Sequence, residues 1–147
     1  MDALASPTVP VSWGELIDKI TILEIKRERI AEPLAQTHIA REHRLLSVTG
    51  ALALQVEAVR ALADELRRVN AALWDIEDAI RAAERKSQFG PGFVRLARSV
   101  YKANDARAAL KRRINDLLGS DLVEEKSYAG PPDNGDGGPV TFIAPAR

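Results

Sequence analysis

Six side chains that could line a small-anion pocket recur at helical spacing on two neighbouring stretches of this sequence: Asn70, Trp74 and Glu77, then Asn104, Arg107 and Lys111. The turn Phe89-Gly90-Pro91-Gly92 separates the stretches and folds them into an antiparallel helical hairpin. With Gln88 opposite Gly92, Asn70 falls near Lys111, Trp74 near Arg107, and Glu77 near Asn104 and Arg107. Arg107 lies on the apolar stripe of its own stretch and the others flank the seam, so a partly buried polar ladder is expected. As a ligand site it is a small-anion pocket. Arg107, whose planar fork matches carboxylate and phosphate, and Lys111 supply charge there. Asn70 and Asn104 orient the anion, and Trp74 forms a wall. As architecture it is a network of Glu77–Arg107 and Asn70–Lys111 pairs that fixes helix register. Polar seam residues more often specify pairing than bind ligand, so the architectural reading leads.

The other chemistry-bearing residues carry less. Glu15 and Asp18 are paired carboxylates of the kind used in acid–base work, with Lys19 beside them. Glu15, however, completes a capping box with Ser12, and acids in a first turn suit the helix dipole. His38 and His43 are five residues apart and do not share a helix face as an i, i+4 pair does. His38 and Glu42 do, but two ligands make a poor zinc site, so no metal is expected. No P-loop, GxGxxG, HExxH or GxSxG pattern occurs. No catalytic residue and no cofactor are expected.

The elements that must position these groups are helices. Pro7 and Pro10 keep residues 1–11 as a flexible leader. At Ser12-Trp13-Gly14-Glu15 a capping box opens the first helix, with Val11 and Leu16 at the positions of a hydrophobic staple. Leu16, Ile17, Ile20, Leu23 and Ile30 recur at helical spacing, and Ile22 and Ile25 widen the stripe. So wide a face predicts burial against two neighbours. Pro33 ends this helix near Ala31.

A single heptad register then places Leu45, Leu52, Val59, Leu66, Leu73 and Ile80 at a, and Val48, Gln55, Leu62, Val69, Ile76 and Ala83 at d. A continuous helix over 45–83 would run ~57 Å at 1.5 Å per residue. Gly50 is its weak link: either tolerated at ~1 kcal/mol against Ala, or the break between a short helix and a long one. A third helix is predicted over 93–118, with Phe93, Leu96, Val100, Leu110, Ile114 and Leu117 on its stripe and Gly119 as C-terminal cap. Residues 120–139 read as irregular, and Val140-Thr141-Phe142-Ile143 as a short β-prone segment.

The chain of 147 residues suggests one domain. It has no cysteine, which excludes disulfides and thiolate metal sites and fits a reducing, cytoplasmic home. The opening residues lack the basic start and apolar run of a secretory signal. No apolar stretch is long enough to span a bilayer, so no membrane partner is expected. Lys and Arg (21) balance Asp and Glu (21) overall, but residues 81–113 carry ten basic groups against two acidic ones, Glu84 and Asp105. Over 121–136 the balance reverses, with Asp121, Glu124, Glu125, Asp133 and Asp136 against Lys126. Aromatics are too sparse in the basic stretch for a single-strand nucleic-acid binder, and docking of the acidic segment on it is the preferred account.

Four phrases together carry a resemblance: VSWGELIDKITILEIK (11–26), NAALWDIEDAIR (70–81), FVRLARSVYKANDARAALKRRIN (93–115) and EEKSY (124–128). As a set they resemble a bacterial family of small proteins of unknown function, over residues 9–128. The resemblance implies a helical bacterial domain and no known activity or ligand. EEKSY lies beyond the last helix, where it is expected to clip the tail to the bundle with Tyr128 as anchor. The segment IDKITILEIKRER (17–29) is also similar to the first helix of all-α chorismate mutases, but Lys19, Lys26 and Arg107 do not fall in that family's pattern of inward cations.

The expected fold is therefore all-α: an elongated antiparallel bundle, or coiled-coil-like hairpin, of three main helices over 12–119, with an irregular tail over 120–147. The first and third helices each cover about half of the long one, leaving apolar surface for a second copy. The leading function is a non-catalytic oligomerisation or protein-interaction module, a homodimer with a protein partner. The alternative is the anion-binding or catalytic pocket.

Overall fold

A computed structural model describes residues 3–127. Among them the protein is all-α and contains four helices: α1 (Trp13–Arg29), α2 (Pro33–Leu54), α3 (Glu57–Arg85) and α4 (Pro91–Leu118). The expected count of three is corrected, because the long heptad segment is not one helix. The chain turns out of helical geometry at Val56, where ψ is 115°.

The break falls after Gly50, and Gly50 itself is buried near the C-terminal end of α2, four residues before Leu54. A Cβ there would stand 2.5 Å from Cδ1 of Ile20, so the missing side chain lets α2 approach α1 closely. The heptad register also fails as a guide to the core before the break. Leu45, Val48 and Leu52 are 69%, 77% and 72% exposed, while Val59, Leu62, Leu66, Val69 and Ile76 are buried. α2 turns a different face inward, that of Ile39, Gly50 and Ala53.

Local chemistry explains the other boundaries. Ser12 Oγ accepts the Glu15 amide at 3.1 Å and starts α1. Lys26, Arg27 and Arg29 close it, where cations suit the helix dipole. Glu32 then caps α2, accepting from the Leu34 and Ala35 amides at 3.0 and 2.6 Å, and Pro33 takes the first helical position, where its missing N–H costs nothing. Pro33 thus both ends α1 and opens a second full helix. At the far end Gly119 adopts φ 60°, ψ 45°, the left-handed cap expected there.

α1 is the centre of the molecule. It contacts α2, α3 and α4, one neighbour more than its apolar stripe predicted. Leu16, Ile17, Ile20, Leu23 and Ile25 are all buried on it, each contributing ~1.5–3 kcal/mol relative to exposure. α3 and α4 pack against each other as the antiparallel hairpin, and α1 bonds to it at Asn70 and Asp75 of α3 and at Arg107, Lys111 and Asn115 of α4. No residue over 77–102 is buried, so the distal part of the hairpin stands beyond the core as a two-helix arm. Residues 128–147 lie outside the described structure, and with them the expectations for Tyr128 and for Val140-Thr141-Phe142-Ile143.

Candidate functional site

Gly14, Asp18, Thr21 and Ile25 occupy one buried face of α1 at spacings of four, three and four. Asp18 is therefore carried into the junction with α3 and α4, where its side chain is 1% exposed. Arg107 from α4 grips the carboxylate with both ends of its fork, Nε reaching Oδ1 at 2.9 Å and Nη2 reaching Oδ2. Asn70 from α3 donates to the same Oδ1 at 2.9 Å and to Thr21 Oγ1 at 3.0 Å. Thr21 in turn donates to the Asp18 carbonyl at 2.8 Å. One carboxylate thus ties three helices.

A second knot lies along the same seam. Lys111 Nζ donates to Glu15 Oε2 and to Glu124 Oε2, each at 2.7 Å. Arg112 reaches Glu125 at 3.3 Å. The two glutamates of EEKSY therefore fasten the chain beyond α4 back onto its basic face. Asn115 Oδ1 accepts the Gly14 amide at 2.7 Å, and Ser120 Oγ accepts the Trp13 amide at 3.2 Å. Both satisfy orphan donors of the α1 N-terminus from a distant part of the chain.

The geometry revises the expected pairings. Asn70, Arg107 and Lys111 meet here, but through acids of α1 rather than through each other or Glu77. Glu77 is exposed and its nearest cation is Arg81 at 3.9 Å. Trp74 lies half-buried under the Arg29 guanidinium, 5.8 Å from the ring centroid. Asn104 is half-buried on α4. The capping box is half used: Ser12 caps, while the Glu15 carboxylate goes to Lys111. Asp18 stood out in the sequence only as one of a carboxylate pair with Glu15, and its place at the centre of this network was missed. The available signal was a charged residue on the stripe of the most apolar helix, in phase with Gly14 and Thr21.

The network is electrostatically closed. The hydrogen bond with Asp18 raises the Arg107 pKa against the opposing effect of burial. Burial alone would lower Lys111, but its bonds to Glu124 and Glu15 outweigh this and hold it above its ordinary 10.5. The same bond holds Glu124 below its ordinary 4.5. Among the described residues, no buried side-chain nitrogen or oxygen lacks a hydrogen-bond partner.

A pH prediction follows from the second knot. Its contribution is complete above the ordinary carboxylate pKa and is lost as pH falls through the lowered value of Glu124; at the other extreme it is lost as pH rises through the raised value of Lys111. Glu124 is 44% exposed, so the pair contributes under ~1 kcal/mol. Melting curves of wild type and Glu124→Gln should differ by a constant small gap at neutral pH and converge in acid. A gap that widens in acid would contradict this assignment.

A shallow cleft of about 310 Å³ opens between α1 and α3, lined by Glu28, Arg29, Asp64, Arg67 and Arg68 with Ile25 and Ala71. Its charges are largely spoken for, Arg67 by Glu24 and Glu28 and Arg29 by Asp75. Among the described residues no group of three or more His, Cys, Asp or Glu is placed to hold a metal, and no helix is long and apolar enough to cross a membrane. His43 is half-buried, 3.4 Å from Arg27 and 3.8 Å from Glu24, and His38 is exposed.

No curated protein and no solved structure matches the chain. The model of one family, DUF6165, described as a family of unknown function, matches residues 8–139, and this chain belongs to that family.

Proposed function

We propose that this protein is a non-catalytic helical module that self-associates through α2 and serves as a protein-interaction scaffold. The observation that supports the reading is the ridge of Leu45, Val48 and Leu52, each more than two-thirds exposed and spaced a–d–a on one face of a long helix. Leu34 and Val56, 62% and 44% exposed, lie toward either end of α2. A water-facing apolar stripe of this length calls for a partner.

A second copy fits the stripe because it is self-complementary. Antiparallel pairing of two α2 helices about a two-fold axis near Val48 sets each Leu45 against the other chain's Leu52. The result is an elongated, coiled-coil-like homodimer with the α3–α4 arms free. The lack of cysteine agrees with a reducing, cytoplasmic setting.

Sedimentation equilibrium or light scattering at micromolar concentration tests the reading. Wild type should give a dimer mass. Leu45→Glu combined with Leu52→Glu should weaken association at least a hundredfold, since buried anchor positions contribute ~2 kcal/mol or more each. Helicity and melting of the variant's monomer should stay unchanged, because both side chains face water in the single chain. A sharp monomer mass for wild type would overturn the proposal.

A further inference from the structure

The distal arm of the hairpin carries a charge distribution that neither knot absorbs. Over 85–104 the chain has five cations, Arg85, Lys86, Arg95, Arg98 and Lys102, and no acid. All five are exposed, and none makes an ion pair among the described residues. They surround the tip of the arm: Arg85 and Lys86 end α3 and its cap, while Arg95 and Arg98 lie in the first turns of α4. At 1.5 Å per residue, Arg95 and Arg98 stand within ~12 Å of the apex along the arm.

The apex itself is apolar. Phe89 projects from the connection and is 53% exposed; Val94 beside it is 51% exposed. Phe89 is held by an edge-to-face contact with Phe93, with centroids 5.4 Å apart and planes at 85°. The ring is thus fixed at the extremity and not folded into the seam.

We propose that the tip of the α3–α4 arm docks on an anionic lipid surface. Phe89 enters the headgroup boundary, and Arg85, Lys86, Arg95 and Arg98 rest on the lipid phosphates behind it. A single ring backed by cations at graded height matches the layered chemistry of a bilayer interface, apolar below and anionic above. The attraction acts within a Debye length of such a surface, ~8 Å at physiological salt, so Arg85, Lys86 and Arg95, nearest the apex, carry most of it and Arg98 less. A nucleic acid suits the tip less well. Base stacking needs flat ring faces in series, whereas Phe89 and Phe93 are locked perpendicular to each other and Tyr101 stands apart on α4. This departs from the expectation of no membrane partner, which rested on the lack of a span. A docking tip needs none. The inference uses no residue of the α2 ridge and stands apart from the proposed dimer.

Co-sedimentation of the full chain with vesicles tests it. The chain should pellet with phosphatidylcholine vesicles containing about one-third phosphatidylserine, should stay in solution with pure phosphatidylcholine, and should be released as salt is raised. Lys86→Ala and Arg95→Ala should each weaken partitioning about fivefold, and Phe89→Ala should weaken it about tenfold at any salt concentration. All three side chains sit outside the core: the two cation variants should melt with wild type, and Phe89→Ala, which gives up only its contact with Phe93, should melt a few degrees lower at most, which separates a docking defect from misfolding. Three results would overturn the proposal: no pelleting with the anionic vesicles, equal pelleting of wild type and a variant that combines Lys86→Ala, Phe89→Ala and Arg95→Ala, or displacement of the chain from vesicles by a single-stranded oligonucleotide or polyglutamate at equal charge concentration. The last would assign the tip to nucleic acid or to an acidic protein.

Discussion

Replacing Arg107 with alanine is expected to cost about 3 kcal/mol of stability, the low end of what breaking a buried ion pair costs. The low end applies because the Arg107 side chain keeps 28% of its exposure while Asp18 keeps 1%, so water can reach part of the gap. The loss arises mainly from what remains: a carboxylate sealed among three helices, with Asn70 as its one remaining side-chain donor. For a chain of this size that is a fall of roughly 6–12 °C in melting temperature. Arg107→Lys should cost less but should not restore wild type, because an ammonium cannot make the two-pronged contact. Removing both charges with Asp18→Leu and Arg107→Leu should cost less than the sum of the single changes, since neither leaves the other unpaired.

The same measurement divides the structural reading of the seam from the ligand reading. If Arg107 and Lys111 exist to hold a small anion, Arg107→Ala should leave the fold intact or stabilise it, and phosphate or a dicarboxylate should raise the melting temperature of wild type alone. If they exist to hold α1, the anions should change nothing and the variant should melt low. The geometry favours the second outcome: both oxygens of Asp18 are held by Nε and Nη2 of Arg107, and Lys111 places two of its three donors on Glu15 and Glu124.

What could be read from the sequence follows the range of the forces involved. Caps and turns are local, so Ser12, Gly119 and the Phe89–Gly92 turn were legible from a few neighbouring residues. The α3–α4 hairpin followed from that turn and from heptads that hold from Val59 onward. A break was one of two readings at Gly50, but its place at Gln55–Val56 was not legible, because the heptad continues across it while the core changes sides. Which face a helix buries depends on where its neighbours lie, and Leu45, Val48 and Leu52 satisfy the pattern while facing water. The polar seam was half legible for a related reason. Helical phase put Asn70, Arg107 and Lys111 near one another. It could not say that α1 would cross there and bring Asp18 and Glu15, since that crossing is fixed by contacts nearly a hundred residues apart in sequence.

Gly14→Ala is expected to be among the most damaging small changes in the protein, although alanine is the better helix former by ~1 kcal/mol. A Cβ at Gly14 would lie 2.4 Å from the Lys111 carbonyl oxygen and 2.9 Å from Asn115 Oδ1. The first of these is backbone in the middle of α4 and cannot swing aside, so α1 must move away. That motion stretches the 2.7 Å bond from the Gly14 amide to Asn115 and slackens the grip of Lys111 on Glu15. Overpacking at ~1–3 kcal/mol and a buried hydrogen bond at ~1–3 kcal/mol together outweigh the propensity gain, for a net loss of about 2–4 kcal/mol. Gly50→Ala supplies the control. Its Cβ would meet Cδ1 of Ile20 at 2.5 Å, an equally short approach, but to the end of a side chain that can change rotamer. There the propensity gain offsets most of the strain, and stability should stay within about 1 kcal/mol of wild type. Thermal melts of the two variants side by side test whether α1 is seated by backbone contact with α4. Equal losses at both glycines would show that the close approach of α1 to α4 is no tighter a constraint than its approach to α2, and the seat of Asp18 would then have to be held by its ion pair alone.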